Sequence, residues 1–287
     1  MESELYKKVY QIIMEVYRKT NLKRIKFTDA DIVLIYLWAV LHDRPTCWAC
    51  SKKNWPIYYR KRSLPDPSTM CRRLRKQDIQ QLLKEAEKSL ANTIGRKICR
   101  WIDAKPLTIS GSTTDKQAGF GYAAGCKGKG YKLYAIGDDK QGFVQWRIRP
   151  MNYSEEVVAR ELISETDSEG YLVGDSAYDK NSLYETAGRK AIRLFAPRRY
   201  KNSKSLGHRK HSRYRLSSLV RLETPFVQDM LENRDNIERM FGQLTSFGCG
   251  LKPLPSWVRG LFRVENWVRG KMIFFQIWRQ YVSPNPV

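Results

Sequence analysis

Apolar residues recur with helical spacing through the first third of the chain. Between residues 3 and 19, Leu5, Val9, Ile12, Val16 and Tyr17 fall on one stripe, which predicts an amphipathic helix. A second helix is expected from Thr28 to Leu41. Thr28 offers a cap, Asp29 and Asp31 occupy the first turn where the helix dipole favours acids, and Pro45 closes the segment. Its apolar run IVLIYLWAVL, residues 32 to 41, is too short to span a bilayer. Further on, LPDPSTMCRRLRK places Asp66 as N-cap and Pro67 at the first helical position, and a last helix is predicted over 78 to 94 with Ile79, Leu82, Leu83 and Ala86 inward.

Near residue 97 the period shortens. KICRWIDA (97 to 104), KGYKLYAIGD (129 to 138) and FVQWRIRP (143 to 150) are β-branched and aromatic runs separated by glycine-containing turns, so they predict strands. Then come a helix over 154 to 165, a buried strand GYLVGD at 170 to 175, a helix over 179 to 189 and a strand at 191 to 197. Thr224 and Pro225 open one late helix with the core stripe Phe226, Met230, Ile237, Phe241 and Leu244. The order predicts an α/β protein with a mixed sheet flanked by helices, preceded by a small all-α region. The expected division is a helical region over 1–96 and a sheet domain over 97–287 with a basic insertion at about 198–222.

Charge narrows the partners. The 52 Lys and Arg against 29 Asp and Glu leave +23 at neutral pH, an excess that repels itself unless a polyanion is bound, and nucleic acid fits best. Residues 198 to 215 concentrate it: Arg198, Arg199, Lys201, Lys204, Arg209, Lys210, Arg213 and Arg215 occur with no acid between them. Such a segment is expected to be a flexible loop that contacts DNA or only aids solubility. Thr69, Arg72, Arg73 and Lys76 are expected on one side of a short helix, either as a recognition face on DNA or as a solvated face. Lys132, in the GYKLY strand, is a further candidate for DNA contact.

The N-terminus MESELYKK lacks a secretory pattern, and no apolar run implies a membrane span, so a cytoplasmic, nucleoid-associated location is expected. Six cysteines at 47, 50, 71, 99, 126 and 249 show no disulfide spacing. Cys47 and Cys50 form a C-x-x-C, but a zinc site needs a second ligand pair and position 74 is Leu, which favours free thiols.

Two aspartates end buried strands, Asp103 in CRWIDA and Asp175 in YLVGDSAYD. Either alone could be a turn former. Together they repel unless a divalent cation holds them, and oxygen ligands suit Mg²⁺ or Mn²⁺. A third acid is then expected on a later helix. Glu238 in RDNIERMFGQL flanks that helix's core stripe, with Arg234 at i−4 and Gly242 at i+4 on its face. Asp179 is a rival to Asp175, less favoured because it follows the strand by several residues.

WIDAKPL, GYKLYAIGDDKQGFVQWRIRPMNYSEE, LVGDSAYDKNSLYE and NRDNIERMFGQL, in this order, resemble the DDE transposases of bacterial insertion sequences. The resemblance covers roughly residues 97 to 275. It implies a ribonuclease H-like catalytic domain, with Asp103, Asp175 and Glu238 as the metal-binding triad and Arg234 as the arginine preceding the glutamate. It also implies two Mg²⁺ or Mn²⁺ ions, cleavage and transfer of double-stranded DNA at element terminal inverted repeats and into target DNA, and at least a homodimer to pair two ends. The family's signature tyrosine and lysine fall here on Leu231 and Thr245. A nuclease that cuts without joining, or a domesticated DNA-binding protein without catalysis, shares most of these features.

Overall fold

Helix α2, Asp29–Leu41, is buried on all sides from Ile32 to Leu41. It is the centre of a helical unit, and its start is fixed by a capping box in which the Thr28 side chain and Asp31 carboxylate satisfy each other's backbone N–H groups. Around it lie α1 (Glu2–Arg18), the short α3 (Thr46–Ala49) and α4 (Pro67–Leu74), α5 (Gln77–Ala91), and α11 (Leu261–Ile277) from the far end of the chain. The computed structural model describes residues 1–18, 26–61, 63–91, 98–109, 114–123, 125–138, 140, 142–166, 169–199, 206 and 210–283. It divides into two units, residues 1–93 with 243–287, and residues 94–242. Among the described residues no helix is long and apolar enough to cross a membrane.

The division differs from the expected one at residue 96, because residues 243–287 join the N-terminal helices. The cause is α11, which is buried around nearly its whole circumference and packs on α1, α2 and α5. The stripes Leu5, Val9, Ile79 and Leu83 are buried in the same unit. Within this unit Lys271 is fully buried, its Nζ donating to Asp43 at 2.7 Å and to the Cys249 carbonyl at 2.8 Å.

The second unit is a six-stranded mixed sheet: β1 (Cys99–Ile109), β2 (Gly119–Ala123), β3 (Cys126–Asp138), β4 (Gly142–Pro150), β5 (Gly170–Val173) and β6 (Ile192–Phe195). β1 runs antiparallel to β3 and parallel to β5, which is parallel to β6. β3 carries β2 along its first residues and β4 along the rest. The order β4-β3-β1-β5-β6 is ribonuclease H-like. One sheet face is covered by α6 (Glu155–Glu165) and α7 (Asn181–Arg189), with Ile102, Tyr134 and Ile136 meeting Val158, Leu162 and Leu183 in one core.

Three local expectations are corrected. β1 continues to Ile109 because its second half pairs with an extension of β3, Thr108 opposite Gly130. A side chain at Gly130 would lie 2.3 Å from the Leu107 carbonyl, so this close pairing requires glycine. β2 itself was not expected, although Phe120 and Tyr122 alternate with glycines and Gly125, at φ +79°, sits in the turn. The late helix is two helices, α9 (Pro225–Glu232) and α10 (Asp235–Ser246). Asn233 ends the first by turning its side chain onto the Asp229 carbonyl at 2.8 Å. Phe226 is therefore 57% exposed, its ring edge-on to Tyr171.

Candidate active site

Strand register brings the two aspartates level. Trp101 on β1 pairs with Val173 on β5, and Asp103 and Asp175 each lie two residues farther in the same direction. Neighbouring strands are spaced about 4.8 Å apart. Asp175 leaves β5 and caps a short turn over Ser176–Tyr178, its Oδ1 accepting the Ala177 N–H at 2.8 Å. Asp103 accepts the N–H of Ala104 at 2.8 Å.

Glu238 comes to the same sheet face. Trp101 pairs with Gly137 and Asp103 with Ala135 across β1 and β3, so these four share one face, opposite Ile102, Tyr134 and Ile136. Met240 of α10 approaches that face at Gly137, where an added side chain would meet its terminal carbon at 2.7 Å. Phe241 packs on Phe143 with ring centres 5.1 Å apart, and Ile237 is fully buried. Glu238 is exposed, and the guanidinium of Arg234 donates to it at 3.1 Å.

Burial pushes the Asp103 carboxyl up to about 6; the Ala104 N–H opposes this, the charge of Asp175 reinforces it, Arg234 opposes it, and Glu238 adds to the rise. A single carboxylate thus feels the other two acids and the arginine. Hard oxygen donors under mutual repulsion fit a divalent cation such as Mg²⁺ or Mn²⁺. Among the described residues no three acids, histidines or cysteines already converge closely enough to hold one.

A family model described as "Transposase DDE domain" matches residues 94–264, well over half of the chain. The chain belongs to this transposase family. No significant match was found among curated proteins or among solved structures.

Asp179 has a different setting. It is buried, and both its oxygens are taken by Arg215, Nε to Oδ1 at 2.7 Å and Nη2 to Oδ2 at 2.8 Å. Arg215 lies on α8, Arg213–Arg221, so from Arg213 onward the segment is not the loop expected from its charge. The acid absent from the basic stretch is supplied from elsewhere in the chain.

Other expected DNA contacts divide the same way. Arg73 is not on an open face with Arg72 and Lys76, because it is held by Asp29 and the Phe27 carbonyl, whereas Arg72 and Lys76 are exposed and Thr69 half-buried. Lys132 is ion-paired to Glu155. Arg213 is exposed and its guanidinium stacks over Tyr214 at 4.8 Å; Lys210 and Arg199 are exposed and Arg198 half-buried. Lys201 and Arg209 lie outside the described residues.

Two features escaped the sequence reading. Lys105 lies two residues beyond Asp103 on the same strand face, half-buried, and desolvation lowers its ammonium pKa. It makes no ion pair among the described residues. The spacing D-x-K on a strand was the available signal. The β2–β3 hairpin exposes Phe120 and Tyr122, with Lys127 and Lys129 within 6.0 Å and 5.8 Å of the Phe120 ring, a basic and aromatic edge visible only once β2 is paired.

Proposed function

We propose that the protein is a divalent-cation-dependent transposase that cuts double-stranded DNA at the terminal inverted repeats of an insertion sequence and joins the ends to target DNA. The observation that carries this is the placement of Asp103 and Asp175 level on adjacent parallel strands, with Glu238 delivered to the same face by α10. Asp103, Asp175 and Glu238 are the residues that would hold the cations. Two bound ions supply charge stabilisation at the scissile phosphate and activation of water or a 3′-hydroxyl.

The chain's own residues do the positioning. Arg234 orients Glu238 and balances its charge through the 3.1 Å ion pair, and Glu238 would exchange that partner for a cation if it served as a ligand. Lys105 offers a cation to a DNA phosphate beside Asp103. Arg72 and Lys76 on the helical unit, and Lys210 and Arg213 on the sheet unit, contact the duplex backbone. Pairing two element ends requires at least two copies of the chain.

The test is Glu238→Gln, which keeps size and hydrogen bonding but removes the charge. It should abolish Mg²⁺-dependent cleavage and joining on the element's own ends while folding and DNA binding persist. Cleavage near the wild-type rate rejects the assignment. A wild-type protein that cuts but never joins is a nuclease, and one that binds ends yet is inert with Mg²⁺ and Mn²⁺ is a binding protein.

A further inference from the structure

The helical unit holds a cavity of about 230 Å³ that the catalytic reading does not use. That is below the range of drug-sized sites, about 300–1,000 Å³, so its occupant is on the scale of one ring system. Four aromatic side chains line it: Tyr36, Trp257, Phe262 and Trp267. Tyr36 and Trp267 are buried, while Trp257 and Phe262 are 38% and 40% exposed, so aromatic surface continues from the protected wall out to solvent.

Asn266 also lines the cavity and is only 4% exposed, yet its amide has no hydrogen-bond partner among the described residues. Buried polar groups are normally paired, and neither of its polar atoms is sealed from the cavity. An amide presents donor and acceptor together, the pattern that pairs with a base edge.

Charge identifies the rest of the ligand. Arg44, Arg75 and Arg263 line the same cavity, are exposed, and make no ion pair among the described residues. The first turn of α11 supplies Phe262 and Arg263, so the positive end of that helix dipole also lies at the wall. Flat aromatic walls, one amide open to the cavity and three guanidiniums without ion pairs among the described residues match a nucleotide: a ring to stack, an edge to pair, phosphates to neutralise.

We propose that this cavity takes an unstacked base of the DNA substrate, paired by Asn266, stacked on Trp257 and Phe262, with its flanking phosphates on the three arginines. The proposal rests on DNA being the substrate, as argued above. It assigns the helical unit a single-strand contact distinct from duplex binding by the basic faces.

The full-length protein is titrated with a short labelled single strand of mixed sequence and with the corresponding duplex. Trp257→Ala and Asn266→Leu should each weaken single-strand binding about five- to a hundredfold, with duplex affinity changed by less than about twofold. If Asn266→Leu does not fold, Phe262→Ala, at a partly exposed ring, replaces it. Cys47 and Cys71 are exposed thiols lining the same cavity. Single strand should protect both from alkylation in the wild type and not in the Trp257→Ala variant. Wild-type single-strand affinity in the variants, or equal losses on both DNA forms, overturns the proposal. A wild type that binds duplex but not single strand sinks the cavity assignment and leaves the DNA reading standing; binding to neither removes both.

Discussion

The surroundings of Asp103 and of Asp179 separate two uses of a carboxylate within one sheet unit. Asp179 is buried and answered in full, its two oxygens matched by the fork of Arg215. Asp103 is also desolvated, but among the described residues it has no ion-pair partner of its own: Asp175 and Glu238 oppose its charge, the Ala104 N–H and Arg234 answer it only in part, and burial leaves its carboxyl pushed up to about 6. Burying a charge is costly unless it is paired, so the first arrangement is complete within the chain and the second is one that a divalent cation would complete. A strongly perturbed acid beside other acids marks a functional site more reliably than a buried acid alone.

Activity separates the two settings most sharply, and Asp175, level with Asp103 on the neighbouring strand, stands for the Asp103 setting. Asp175→Asn should lower Mg²⁺-dependent strand cleavage by at least about 10³-fold with little change in melting temperature. Asp179→Asn should leave cleavage by the folded fraction measurable, assayed well below its melting point. Equal loss of activity in both would erase the distinction and place Asp179 in the catalytic set.

Stability should invert that ranking. Removing one partner of a buried ion pair costs about 3–5 kcal/mol, so Asp179→Asn should lower the melting temperature by roughly 2–4 °C per kcal/mol, as read by calorimetry. An unchanged melting temperature would show that the Arg215 pair is incidental.

Much of the candidate site was legible in the sequence because each acid follows its own local signal: Asp103 and Asp175 end apolar runs, and Glu238 flanks a helical stripe. The α/β class and the family resemblance followed from the same segments. What stayed hidden depends on partners distant in the chain. Arg215 reads as one of eight cations in an acid-free stretch, and only the fold brings it to Asp179. Arg73 is likewise claimed by Asp29, from α2. The grouping of residues 243–287 with the N-terminal helices has no local mark either, since α11 intersperses Arg263, Glu265, Asn266, Arg269 and Lys271 among its apolar residues and shows no preferred apolar face, although most of it is buried. The break at Asn233 was the exception, a short side chain bonding its own backbone where periodicity alone suggested continuity.

A smaller effect of opposite sign is expected at Asp103. Its folded pKa of about 6 lies above the ordinary aspartate value of 3.8, so between those limits the folded protein holds a proton that the unfolded chain has released. The associated stability is present below about pH 4 and lost as the pH rises through about 6, on the order of 3 kcal/mol in total. Asp103→Asn should therefore be inactive yet more stable than wild type above pH 6 in the absence of divalent ions, with the advantage shrinking toward pH 4. Mg²⁺ or Mn²⁺ should raise the wild-type melting temperature more at pH 7.5 than at pH 5 and leave the variant unmoved. A wild type as stable as the variant at pH 7.5 without metal would mean that Asp103 is compensated after all.

The smallest predicted change tests what kind of answer Asp179 receives. Arg215→Lys keeps the positive charge but removes the planar fork that reaches both oxygens, so one of two charge-assisted hydrogen bonds is lost. The expected cost is about 1–2 kcal/mol, less than for Asp179→Asn because no buried charge is left unpaired. Duplex DNA affinity should be unchanged, since the guanidinium is committed inside the unit, whereas Arg213→Ala, at an exposed cation, should weaken DNA binding and flatten its salt dependence. Lost affinity at an unchanged melting temperature in Arg215→Lys would return that arginine to the DNA surface, and the contrast between a satisfied and an unsatisfied carboxylate would then rest on Asp103 alone.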